Sequence, residues 1–186
     1  MMSANKLYFL LLGCKPKGRH TEQHDVFVTI GKNLKEVTDQ IPAFWPDAGT
    51  VHIDAWREVT ELDGHKISIN KSKATPTSGP QIFFLNLGGY KPGEFEEYHY
   101  KLLTIANSKA TAIQSAKQTA FYKHTGFKGA SSHIDDKYGI DVDDLYAIEE
   151  MLPQPIKAAF QISLTPIKKS KPDEWHIGYL KLSLIK

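Results

Sequence analysis

The chain has 186 residues, 41% of them hydrophobic and 24% charged, with a net charge of +2. That length supports one large domain or two small ones with a core of their own, and so weak a charge argues against the basic surface that nucleic-acid binding needs. A lone cysteine, Cys14, excludes an internal disulfide framework and any paired-thiol metal motif, and no apolar run is long enough to span a bilayer.

The first element is a near-continuous apolar run, Leu7 to Leu12, whose length suits a buried strand. Its end, Leu11-Leu12-Gly13-Cys14, looks like a lipoprotein cleavage site. The same run returns in mid-chain as Ile82 to Leu87, where no signal acts. Both are therefore expected as strands, and the protein is expected in the cytoplasm.

A glycine-marked loop should follow from Gly13, then a second strand over Asp25 to Ile30 with Val26, Val28 and Ile30 on one face. The period then changes. Leu34, Val37, Ile41 and Phe44 fall at helical spacing behind an Asn33 N-cap with Glu36 three residues on. Pro42 should end or kink that helix. A third strand should begin near His52 and run into the turn Glu61-Leu62-Asp63-Gly64, followed by a strand from His65 to Ile69.

After a Lys-, Ser-, Thr-, Pro- and Gly-rich linker the order starts again. Gly18, Glu22, His24, Thr29 and Ile30 are matched without a gap by Gly93, Glu97, His99, Thr104 and Ile105. Ser108 is the expected second N-cap, with Ile113, Ala116 and Ala120 on one helix face. His52-Ile53-Asp54 returns as His133-Ile134-Asp135, ahead of an expected acidic turn, Asp141 to Asp144. A helix over Leu145 to Leu152 and a strand over Phe160 to Leu164 close the second copy. The alternating tail, Glu174 to Ile185, should form a last strand in a hairpin with the Phe160 strand.

These elements predict an α+β protein with mainly antiparallel sheet, built from two pseudo-symmetric β-loop-β-α-β-β repeats plus a C-terminal strand. The expected divisions are residues 6–70, a linker over 71–80, residues 81–166 and a tail over 167–186.

The pattern resembles a bacterial family of domains of unknown function, number 1543. It rests on the strand ending Leu-Gly-Gly (Leu87-Gly88-Gly89, with Leu12-Gly13-Cys14 in the first copy), on Gly18 or Gly93, and on Glu-x-His (Glu22 and His24, Glu97 and His99). His-Ile-Asp and an acidic turn complete it. The resemblance implies a tandem duplicated fold and no established reaction. Cys14 departs from the paired glycines, which puts in doubt any close backbone approach there in the first copy.

One constellation carries chemistry: Glu22, His24, His52 and Asp54, with the expected echo Glu97, His99, His133 and Asp135. In extended chain, residues i and i+2 share a side, so each Glu-x-His or His-x-Asp makes a two-pronged fork. If the forks meet, two imidazoles and two carboxylates form a site for zinc, iron or manganese. The same groups suit general acid–base work, or hydrogen bonds that pin the loops. Three readings follow: a structural cluster in a non-catalytic module that binds a protein or small ligand, a metal site, and a metal-dependent hydrolase. His20 is expected at the surface, and Cys14 as no nucleophile. Trp45, Trp56, Trp175, Tyr90 and Tyr98 are expected to pack rather than to line a groove.

Overall fold

The apolar run at the start of the chain forms a central strand, β1 (Lys6–Cys14), because Leu7, Tyr8, Phe9, Leu10 and Leu12 are all buried. A strand covered on both faces reads as unbroken hydrophobic sequence. The computed structural model describes residues 4–71, 79–91, 93–118 and 140–186. The fold is mixed α+β, mostly antiparallel sheet with a few short helices. Its chain divides into two units, one of residues 1–76 with 151–186 and one of residues 77–150.

In the first unit β1 lies between β2 (Gln23–Gly31) and β3 (Val51–Val59), antiparallel to both. The C-terminal strand β10 (His176–Lys181) extends this sheet at the β3 edge, giving the order β10-β3-β1-β2. One face of it carries Tyr8, Leu10, Leu12, Phe27 and Ile53, packed on Val37 and Ile41 of two short helices. These are α1 (Leu34–Thr38) and α2 (Ile41–Phe44). Asn33 caps α1 as its composition predicts, accepting a hydrogen bond from the Glu36 N–H at 2.9 Å. Pro42 starts α2 rather than ending the helix before it, since a missing N–H costs nothing in a first turn. Leu180, Leu182 and Ile185 from the tail close the same core.

A second sheet of this unit, β4-β5-β9, joins β4 (Glu61–Leu62), β5 (His65–Lys71) and β9 (Phe160–Pro166). Asp63 and Gly64 form the two-residue turn between β4 and β5, with φ of 44° and 71°. Asp-Gly accommodates two positive φ values in succession, as a type I′ turn demands. The Phe160 strand pairs with β5, and β10 pairs with β3, so the hairpin expected between the Phe160 strand and the tail does not form.

The second unit holds a three-stranded sheet, β7-β6-β8, from β6 (Gln81–Tyr90), β7 (Glu97–Ala106) and β8 (Ile140–Ala147). Phe83, Leu85 and Leu87 face Ala112 and Ala116 of helix α3 (Lys109–Ala116). Ser108 caps it, and Thr111 completes the capping box by bonding back to the Ser108 N–H. Ala120 lies outside the described residues. The stretch expected as an acidic turn, Asp141 to Asp144, is strand: it pairs along β6, and Val142 and Leu145 pack on the core. The helix expected from Leu145 begins only at Ile148, as α4 (Ile148–Met151), and α5 (Gln154–Ala159) follows Pro153.

The two sheets pair alike. Lys6 faces Gly31 and Gln81 faces Ala106, and each β1–β2 pair recurs 75 positions on in β6–β7. The register shift against the third strand falls between Leu11 and Leu12 in one sheet and between Asn86 and Leu87 in the other, again 75 apart. No helix among the described residues is long and apolar enough to cross a membrane.

Candidate metal centre

Glycine near the end of a strand usually marks a turn, but Gly13 lies inside β1, and what matters there is the missing side chain. Gly13 sits between His24 on β2 and His52 on β3 in register. A Cβ at this position would stand 2.4 Å from His52 Nε2 and 2.6 Å from Asp54 Oδ2. The absent methyl is the space into which both groups reach.

A β-bulge sets the third strand. Leu12 pairs with Ile53 and Leu11 with Ala55, which leaves Asp54 as the extra residue. Bulges re-aim side chains in this way. Ile53 turns into the core while His52 turns to the opposite face, where Gly13 and His24 lie.

There the two expected forks meet. His24 Nε2 is 3.5 Å from Glu22 Oε2 and 3.3 Å from Asp54 Oδ2. His52 Nε2 is 3.2 Å from Glu22 Oε1 and 3.2 Å from Asp54 Oδ1. Imidazoles and carboxylates thus alternate around a ring of four residues. His52 is buried and its ring packs on Tyr179 of β10, centroids 4.3 Å apart, while Glu22 and His24 are open to solvent. His52 Nε2 and Asp54 Oδ2 are buried and make no hydrogen bond. The oxygens around the imidazole nitrogen stand near it but not where an N–H would aim. Burial raises the thiol pKa of neighbouring Cys14, and the Glu22 charge adds to the effect, so the thiol stays protonated and is a poor nucleophile.

The second unit has a smaller version. His99 Nε2 lies 3.3 Å from Asp143 Oδ2 and 4.0 Å from Glu97 Oε2. Gly88 is the counterpart of Gly13: a Cβ there would be 2.4 Å from Asp143 Oδ2. The expected partners His133 and Asp135 lie outside the described residues. Register gives Asp141 the place opposite Gly88 that His52 has opposite Gly13, and Asp143 is the bulged residue, as Asp54 is. Asp143 was missing from the expected set. The signal that could have found it is the spacing back from a buried apolar residue, since Asp54 lies five residues before Val59, the last of β3, and Asp143 five before Ile148, the first after β8. The Tyr90 phenol is shifted upward, first by its hydrogen bond to Glu97.

The remaining expectations sort plainly. His20 is exposed. Trp45 and Trp56 pack on the first core, whereas Trp175 stays 54% exposed with the Arg57 guanidinium 4.3 Å over its ring. Tyr98 bonds Glu94.

Residues 19–69 match the family model of a Domain of Unknown Function, DUF1543. The match spans Glu22, His24, His52 and Asp54. The fold is similar to that of a crystal structure of a protein Il1583 from Idiomarina loihiensis, with a TM-score of 0.65 at 21% identity, over 96% of this chain and 97% of that one. That likeness is one of fold. No curated protein matches the sequence.

Proposed function

Residues 19–69 belong to the DUF1543 family, and on that premise we propose that the protein is a non-catalytic binding module, built from a duplicated unit, that holds a divalent transition metal at Glu22, His24, His52 and Asp54. The observation that carries this is the set of four nitrogen-to-oxygen distances, 3.2 to 3.5 Å, in a cluster whose buried His52 Nε2 and Asp54 Oδ2 make no hydrogen bond. Ligands about 2.0–2.1 Å from a tetrahedral zinc lie roughly 3.3–3.4 Å from one another. Each imidazole nitrogen stands at about that separation from both carboxylates, through a different oxygen of each.

Energetics favour the same reading. A buried polar atom without a partner costs about 1–3 kcal/mol. Two carboxylates facing one pair of imidazoles also repel each other. A cation between them relieves both penalties. Two imidazoles with two carboxylates suit zinc first, and iron or manganese after it.

Four protein ligands fill a tetrahedral sphere, which is how structural sites differ from catalytic ones. That supports a binding module over a hydrolase, its partner a protein or small molecule. The hydrolase reading keeps one supporting observation: the Glu22 side chain is 46% exposed, free enough to leave and open a position for water.

Elemental analysis of protein purified without a histidine tag, incubated with zinc and dialysed, tests the proposal. Wild type should retain one tightly held zinc. His24→Ala, whose side chain is 43% exposed and so dispensable to the fold, should lose it, while the metal-free variant melts at the temperature of metal-free wild type. Wild type without zinc, or His24→Ala with it, contradicts the reading.

A further inference from the structure

The second cluster differs from the first in its chemistry. The first offers two nitrogens and two carboxylates, whereas Glu97, His99 and Asp143 offer one nitrogen and two carboxylates, and Tyr90 bonds to Glu97 beside them. One ligand atom from each of the three lies within 4.8 Å of the other two. His99 sets this group apart from an acidic patch, because its Nε2 faces Asp143 at 3.3 Å and Glu97 at 4.0 Å. Gly88 supplies the same room that Gly13 supplies, since any larger residue would drive its Cβ into the Asp143 carboxylate. The room is kept in both sheets although the residue opposite it changes from His52 to Asp141.

We propose that Glu97, His99 and Asp143 form a second divalent-cation site, distinct in selectivity from the first and suited to a harder ion of the manganese class. Imidazole nitrogen favours zinc, and carboxylate and water oxygens favour manganese and magnesium. Loss of one imidazole, its place left to water oxygen, therefore narrows the usual preference for zinc over manganese. Three protein ligands with side chains 26 to 39% exposed leave the rest of the coordination sphere to water, as a hard, six-coordinate ion requires. Tyr90 fixes the Glu97 carboxylate in the way outer-shell hydrogen bonds orient metal ligands. The proposal extends the reading of the first cluster and can fail without it.

The test is a manganese titration followed by electron paramagnetic resonance, on full-length protein carrying Glu22→Gln and His24→Ala to silence the first site. One Mn²⁺ should bind per chain, and the ratio of zinc to manganese affinity should be at least about tenfold smaller than at the first site of wild type. Adding Asp143→Asn should weaken manganese at least about tenfold, ligand loss costing no less than loss of an outer-shell partner. His99→Gln, a half-exposed position, should do the same and serves if the Asp143 variant fails to fold. Absence of bound manganese in the silenced protein overturns the proposal, as does binding that neither substitution weakens. If wild type still holds zinc while this titration shows nothing, the second site alone falls.

Discussion

At Gly13 a single hydrogen in place of a methyl decides whether His52 and Asp54 can reach the cluster. Gly13→Ala should cost about 1–3 kcal/mol, as overpacking does, and should abolish zinc retention because the intruding Cβ overlaps His52 Nε2. A lower urea midpoint together with lost zinc checks this, and an alanine variant that keeps both would contradict it. The repeated Leu-Gly pair was visible in the sequence, but its meaning was not. Glycine signals turns far more often than lateral room, and only the neighbouring strand reveals which applies. The doubt raised by Cys14 in place of a second glycine resolves in the same way. The close approach is made at Gly13 and Gly88, while Cys14 is buried in the adjacent position. Glu22, His24, His52 and Asp54 stand out in the sequence by repetition and i, i+2 spacing, whereas the place of Asp143 beside His99 depends on a bulge that neither of those patterns marks.

Among the elements, the helix caps were legible. Asn33 and Ser108 both cap as their positions suggest. Asn33→Ala should destabilise the first unit by about 1 kcal/mol, measured by urea unfolding. Glu36 accepts the Lys32 N–H at 2.9 Å, and that hydrogen bond holds its carboxyl below the ordinary value of 4.5. A lowered folded-state pKa stabilises the protein above the unfolded value, and the contribution is lost as pH falls through the folded one. Glu36→Gln should therefore flatten the acid side of the stability profile, and an unchanged profile would contradict the assignment. Strand partners were less legible. The tail has the alternation of a strand, yet alternation does not specify a neighbour, and β10 joins β3 in the first sheet instead of β9. The acidic run Asp141 to Asp144 looked like a turn by composition. Tertiary context overrides that preference, because Val142 and Leu145 are drawn into the core beside β6.

For the whole molecule, the internal match predicts consecutive repeats, whereas residues 151–186 belong to the unit of residues 1–76. β9 completes the sheet of β5, and β10 covers β3, so the first unit draws strands from both ends of the chain. A fragment ending at Pro76 would lack both strands and the Leu180, Leu182 and Ile185 contacts of its core. It should show no cooperative unfolding transition, and a cooperative transition near that of the full chain would contradict this. Internal similarity reports how a chain is written more directly than where it divides, since any segment outside the matched stretches can pack with either half.

The central claim is that Glu22, His24, His52 and Asp54 surround one cation. X-ray absorption at the zinc edge, on full-length protein loaded with one equivalent of zinc, tests it most directly. The account predicts four nitrogen or oxygen neighbours at about 2.0 Å, with outer-shell scattering from two imidazoles that falls to one or none in His24→Ala. A spectrum of hydrated zinc, or an imidazole signal that His24→Ala leaves whole, would contradict it.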